Sequence, residues 1–228
     1  MPQEVALPWS EQPFYLTLPK MRMNTLMTKG GLIAALCVFG SVVEAHSFGA
    51  GTDAFGQIIE GANVPFLEPV TLLSCLSLGL FHTIWRPHGV ISAMPYLFIG
   101  LVFGFIVAPY LGQYAYLGAT FIGIVSAISA GLLTRPMYHL IILTTVLTGF
   151  FTMGAALEGH KWLELGVLIY LGIFLGSVFA VILAAGISQL ILDKFPQRTF
   201  VRIGLRIAAS WLAAIQIMMI AFQISVGG

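Results

Sequence analysis

The sequence predicts an all-α protein: a polytopic membrane helix bundle with about six transmembrane helices after an N-terminal signal peptide. Three observations carry that prediction. The chain is 58% hydrophobic and 8% charged, with a mean hydropathy of +0.96. Soluble domains carry about 25% charged residues, and so few charges cannot cover a water-facing surface. Six apolar runs then follow one another, at about 64–85, 91–112, 114–133, 137–157, 163–192 and 200–224, each long enough to span lipid. Lastly, the basic residues between these runs fall almost entirely in alternate connections, as the positive-inside rule requires.

The N-terminal reading comes first along the chain. Residues 1–20 are polar and proline-bearing and fit no span. Lys20, Arg22 and Lys29 precede the apolar stretch 31–43, and Val43-Glu44-Ala45 follows. That is a charged region, a short apolar region and a small residue at a cleavage point. Cleavage is expected after Ala45, which makes His46 the first mature residue. An uncleaved anchor helix is the other reading, and Met21, Met23 or Met27 are alternative starts. Cleavage would remove Cys37 and leave Cys75, so the mature chain would hold no disulfide. The glycine-rich, mildly acidic stretch from His46 reads as a loop. The expected organisation is an extension plus signal peptide at 1–45, an external loop at 46–63 and a six-helix transmembrane domain at 64–228.

Orientation follows from charge. With the mature N-terminus outside, Arg86, Arg135, Lys194 and Arg198 fall on the cytoplasmic side, with Arg202 and Arg206 just beyond, and Lys161 on the other. The expected location is a bacterial inner membrane with both termini periplasmic. Asp53, Glu60, Glu68, Glu158 and Glu164 collect on the external side, and Asp193 alone on the cytoplasmic side. That bias fits a cation-attracting vestibule or plain loop solvation. A net charge of +1 with no basic stripe excludes a nucleic-acid partner; the bilayer is the expected one. The chain carries no Walker, GxSxG or HExxH motif. Ser74 and Cys75 have no histidine in register, with His82 two turns on, so an enzyme is not expected.

Four residues are candidate metal ligands. Glu68 precedes Pro69 at the start of the first run, where an intramembrane carboxylate is a functional candidate and a first-turn acid is the structural alternative. Glu158 and His160 end the fourth run and would complete a mixed nitrogen and oxygen site with Glu68. His46, if it begins the mature chain, offers an α-amino group beside an imidazole. His82 and His139 read as interfacial histidines or exit-route residues, His88 as a solvated loop residue, and Trp85 and Trp162 as interfacial belt residues. Cys75 reads as core packing.

The order of these features resembles the HupE/UreJ family of hydrogenase- and urease-associated membrane proteins, over most of residues 46–224. The resemblance rests on Ala45-His46, on Phe66-Leu67-Glu68-Pro69 with Leu78-Gly79-Leu80, and on Met94-Pro95-Tyr96-Leu97-Phe98-Ile99-Gly100. Phe150-Phe151, Tyr170-Leu171-Gly172 and Arg206-Ile207-Ala208 extend it. It implies a six-span permease for a divalent metal of the nickel or cobalt type, serving metalloenzyme assembly and holding no cofactor of its own. Two histidine signatures of the family are replaced. Glu68-Pro69 stands where a His-Pro is expected, and residues 152–157 contain no histidine. The expected function is therefore a metal permease or metal-delivery accessory protein using Glu68, Glu158, His160 and His46. The alternative is a structural or assembly subunit of a membrane complex that has lost its metal site.

Overall fold

The computed structural model describes residues 53–86, 89–133, 137–162, 164–195 and 199–227. These residues form seven α-helices and no strand. They are α1 (Ala54–Leu67), α2 (Pro69–Trp85), α3 (Gly89–Leu111), α4 (Tyr114–Leu132), α5 (Tyr138–Ala156), α6 (Val167–Lys194) and α7 (Thr199–Gly227). The segment 1–45, with its expected signal peptide, lies outside the described residues, as does His46.

Helices α3 to α7 are each long and apolar enough to cross a bilayer, and α1 with α2 pass only as a pair bent by 77°. The chain is a multi-pass membrane helix bundle. Its polarity is that of a lipid-bathed protein: Phe103, Phe121, Leu190, Met218 and Phe222 are exposed, while Thr71, Ser74, Ser77, Thr144, Thr148 and Gln216 are buried. No water-soluble core is arranged that way.

The first run departs from expectation. Residues 54–63, read above as part of an external loop, are helical. Asp53 caps α1, its carboxylate accepting from the Gly56 N–H at 3.0 Å, a standard N-cap contact. The glycine that suggested a loop serves packing instead. A Cβ on Gly61 would lie 2.1 Å from the Ile169 carbonyl oxygen, and Cβ atoms on Gly172 and Gly176 would meet the backbone of Ile58 and Ala62 at 2.3 Å. Small residues on both helices let their backbones touch.

The break itself falls at Glu68. Pro69 supplies no N–H and disfavours helical backbone at the residue before it, and Glu68 is extended at φ −86°, ψ 109°. Pro69 then occupies the first turn of α2, as the sequence suggested. The Thr71 hydroxyl lies 3.0 Å from the Glu68 carbonyl and 3.3 Å from that of Pro65, the acceptor left open because Pro69 has no N–H. Contacts advance along α6 in one sense, from Gln57 against Gly166 to Ala62 against Gly176, then Gly79 against Val181 and Thr83 on Ala185. The contacts run in the direction expected of one broken span, which would bring the crossings to six.

Candidate functional site

The bundle is chemically polarised. One end collects Glu68 at the α1–α2 break, Tyr116 in the first turn of α4 and Glu158 just beyond α5. The other collects Arg86, Arg202 and Arg206, at the end of α2 and the start of α7.

At the acidic end, Glu68, Glu158 and Tyr116 are all half-buried. Tyr116 lies within electrostatic reach of both carboxylates. The Glu158 carboxyl is pushed above its usual range, first by burial and then by the Glu68 charge beside it. The turn after α5 sets its position: Gly159 adopts φ +81°, a left-handed conformation that a glycine takes without strain. The His160 ring follows at once, its Nδ1 3.1 Å from the Glu158 carbonyl oxygen. Thus the structure brings Glu68 and Glu158 together and leaves His160 adjacent, turned onto backbone. Among the described residues, no three His, Cys, Asp or Glu side chains form a group able to hold a metal ion.

Below this site a polar seam runs between α2 and α5. Cys75 Sγ is 4.0 Å from Thr152 Oγ1, and His82 Nε2 is 3.1 Å from Thr145 Oγ1. His82 is wholly buried, so the interfacial reading of it fails; His139 is exposed. The Thr145 hydroxyl donates to the Ile141 carbonyl at 2.6 Å, so it accepts from His82, which carries its proton on Nε2. Among the described residues, His82 Nδ1, Thr148 Oγ1, Ser126 Oγ and Gln216 Oε1 are buried without a hydrogen-bond partner. Each such atom costs about 1–3 kcal/mol if dry, and ordered water is the usual remedy. On α7, Gln216 donates to Ser77 Oγ at 3.0 Å.

Sequence reasoning missed Tyr116 and the seam. The seam had a signal: Thr144, Thr145, Thr148 and Thr152 recur at helical spacing on the fourth run, marking one polar face. Tyr116 had none, since a tyrosine at a helix end reads as an interfacial belt residue. The chain matches no protein-family model, no curated protein and no solved structure.

Proposed function

We propose that this chain is a HupE/UreJ-like permease of a bacterial inner membrane. It passes a divalent transition-metal cation of the nickel or cobalt type inward, with both termini periplasmic, and feeds a metalloenzyme assembly partner. The observation that carries the reading is the pair of half-buried carboxylates, Glu68 and Glu158, within electrostatic reach of each other beside a helix break. Like charges in a partly dry place oppose their own ionisation. A divalent cation between them removes that opposition.

Broken helices at a substrate site are a recurring transporter device, because the interrupted backbone offers polar groups that an intact helix hides. His160 adds an imidazole beside the carboxylates, a donor set suited to borderline ions. A transit site must also release its ion, so two carboxylates completed by water serve better than a closed cage. Beneath it the seam supplies successive oxygens down to His82. Glu68 and His82 are fourteen residues apart, about 21 Å along a helix at 1.5 Å per residue, against a hydrocarbon core about 30 Å thick.

One observation favours the second reading, a non-transporting assembly subunit: no described cluster holds three metal-ligating side chains. Flux separates the two. The purified chain is reconstituted into liposomes holding a metal-sensitive dye, and Ni²⁺ or Co²⁺ is added outside. We expect flux above that of protein-free vesicles, and E68Q/E158Q slower by about tenfold or more, the scale on which metal affinity responds to lost partners. Wild-type flux equal to protein-free vesicles would discard the permease and leave the assembly role.

A further inference from the structure

At the basic end, α2, α6 and α7 enclose a cavity of about 590 Å³, within the 300–1,000 Å³ range typical of small-molecule pockets. Arg86, Arg202 and Arg206 line it, from two different helices. Thr199, Arg202 and Arg206 share one face of α7, and Thr199 begins that helix. The N-terminus of α7, with its unsatisfied N–H groups and positive dipole end, therefore opens on the same space. Arg86 is held in place: its guanidinium lies 4.3 Å over the Trp85 ring and hydrogen-bonds Ser92. Among the described lining residues Asp193 is the single acid, and its carboxylate already accepts from Gln189 Nε2 at 2.8 Å.

Three lining arginines against one occupied carboxylate favour an anion. Arginine forks match phosphate oxygens in particular. The remaining wall narrows the ligand further. Leu192, Phe195 and Ile203 make part of it apolar, and Phe195 and Ile203 are exposed. A free phosphate gains nothing from that wall, whereas the glycerol and first acyl carbons of a lipid do. Ordinary snorkelling carries each arginine separately to the headgroup layer; here all three line one partly open cavity.

We propose that this cavity binds the headgroup of an anionic phospholipid, the arginines holding its phosphate. Phosphatidylglycerol, with its phosphate and net negative charge, is the probe. The full chain, delipidated in detergent, is titrated with short-chain phosphatidylglycerol, phosphatidylcholine or inorganic phosphate, and adducts are counted by native mass spectrometry. We expect phosphatidylglycerol to bind in preference to phosphatidylcholine. The R202Q/R206Q variant should bind it roughly 30-fold more weakly, at about one factor of five per interfacial arginine. R202K/R206K should lose less, and K161Q, at the other end of the bundle, nothing. R202Q alone, at an exposed position, should weaken binding without disturbing the core, which guards against a misfolded double variant. Inorganic phosphate binding as tightly as the lipid, and lost in R202Q/R206Q, would retain the anion site and assign it a soluble phosphate ligand. Equal binding of both lipids, equal binding by wild type and R202Q/R206Q, or an equal loss in K161Q would overturn the proposal.

Discussion

Replacing Gly61 with alanine tests whether the segment before Glu68 is a packed helix. The added Cβ would lie 2.1 Å from the Ile169 carbonyl oxygen and 3.0 Å from the Ile173 nitrogen, where ordinary contact begins at 3.4 Å. Both neighbours are backbone and cannot rotate away, so α1 and α6 must part by more than about 1 Å, enough to forfeit much of their dispersion contact. Such overpacking costs about 1–3 kcal/mol, set against a gain of up to about 1 kcal/mol from alanine's higher helix propensity. Gly186, on α6, isolates the second effect, because a Cβ there meets nothing within 4 Å. In detergent, thermal unfolding of G61A should fall on the order of 5 °C below wild type, while G186A should match or exceed it. G61A unfolding at or above the G186A midpoint would refute the α1–α6 contact, and with it the geometry that presents Glu68 to Glu158.

Three further outcomes follow from the site and its seam. Because burial and Glu68 raise the Glu158 carboxyl in the folded chain, its protonated form favours folding, and that contribution is lost as pH rises through the raised value. E158Q should therefore unfold at higher temperature than wild type at about pH 8 and approach it near pH 4; a constant offset at both would exclude titration of Glu158 as the cause. T145V removes the hydrogen-bond partner of the buried His82 ring among the described residues and should cost about 1–3 kcal/mol in denaturant melts, whereas T152V, whose sulfur contact is 4.0 Å long, should cost less; the reverse order would refute the seam's polarity. With Cys37 replaced by serine, the buried Cys75 should resist maleimide until the protein is denatured, and prompt labelling in the folded state would contradict the core assignment.

The crossings were legible because a bilayer leaves a coarse signature: runs of about 20 apolar residues with cations at one end. The location of the first crossing was not. The window beginning at Val64 captured the apolar part and missed residues 54–63, whose glycine, glutamine and glutamate lower the hydropathy. What makes that segment a helix is its partner, since Gly172 and Gly176 lie more than a hundred residues away and offer the groove it fills. Glu68 and Glu158 could be named as carboxylates at one face, from topology alone. That they meet depends on the bend at Pro69 and the left-handed turn at Gly159, and local pattern reports neither the angle of a break nor the direction of a loop. His82 illustrates the converse error. Four residues from Arg86, it was placed at an interface, yet a threonine across the bundle holds it in the interior.

The bend raises the question of whether Pro69 alone causes it. A straight helix through residues 54–85 would be about 48 Å long at 1.5 Å per residue, far beyond a core of about 30 Å. The 77° turn lets the same chain cover α6 instead, with Gly61, Gly172 and Gly176 locking the first half against it. If those contacts hold the geometry, P69A keeps the bend, because straightening would expose the α1–α6 groove for the gain of one backbone hydrogen bond worth about 1 kcal/mol. The two cases are widely separated in distance. α1 is about 21 Å long, so swinging it through 77° carries its far end about 26 Å. Spin labels at the exposed Phe55 and Val167 should therefore report the same separation in P69A as in the parent, within a few ångströms. A lengthening of more than about 20 Å would show that proline, and not helix packing, holds Glu68 at the mouth of the seam.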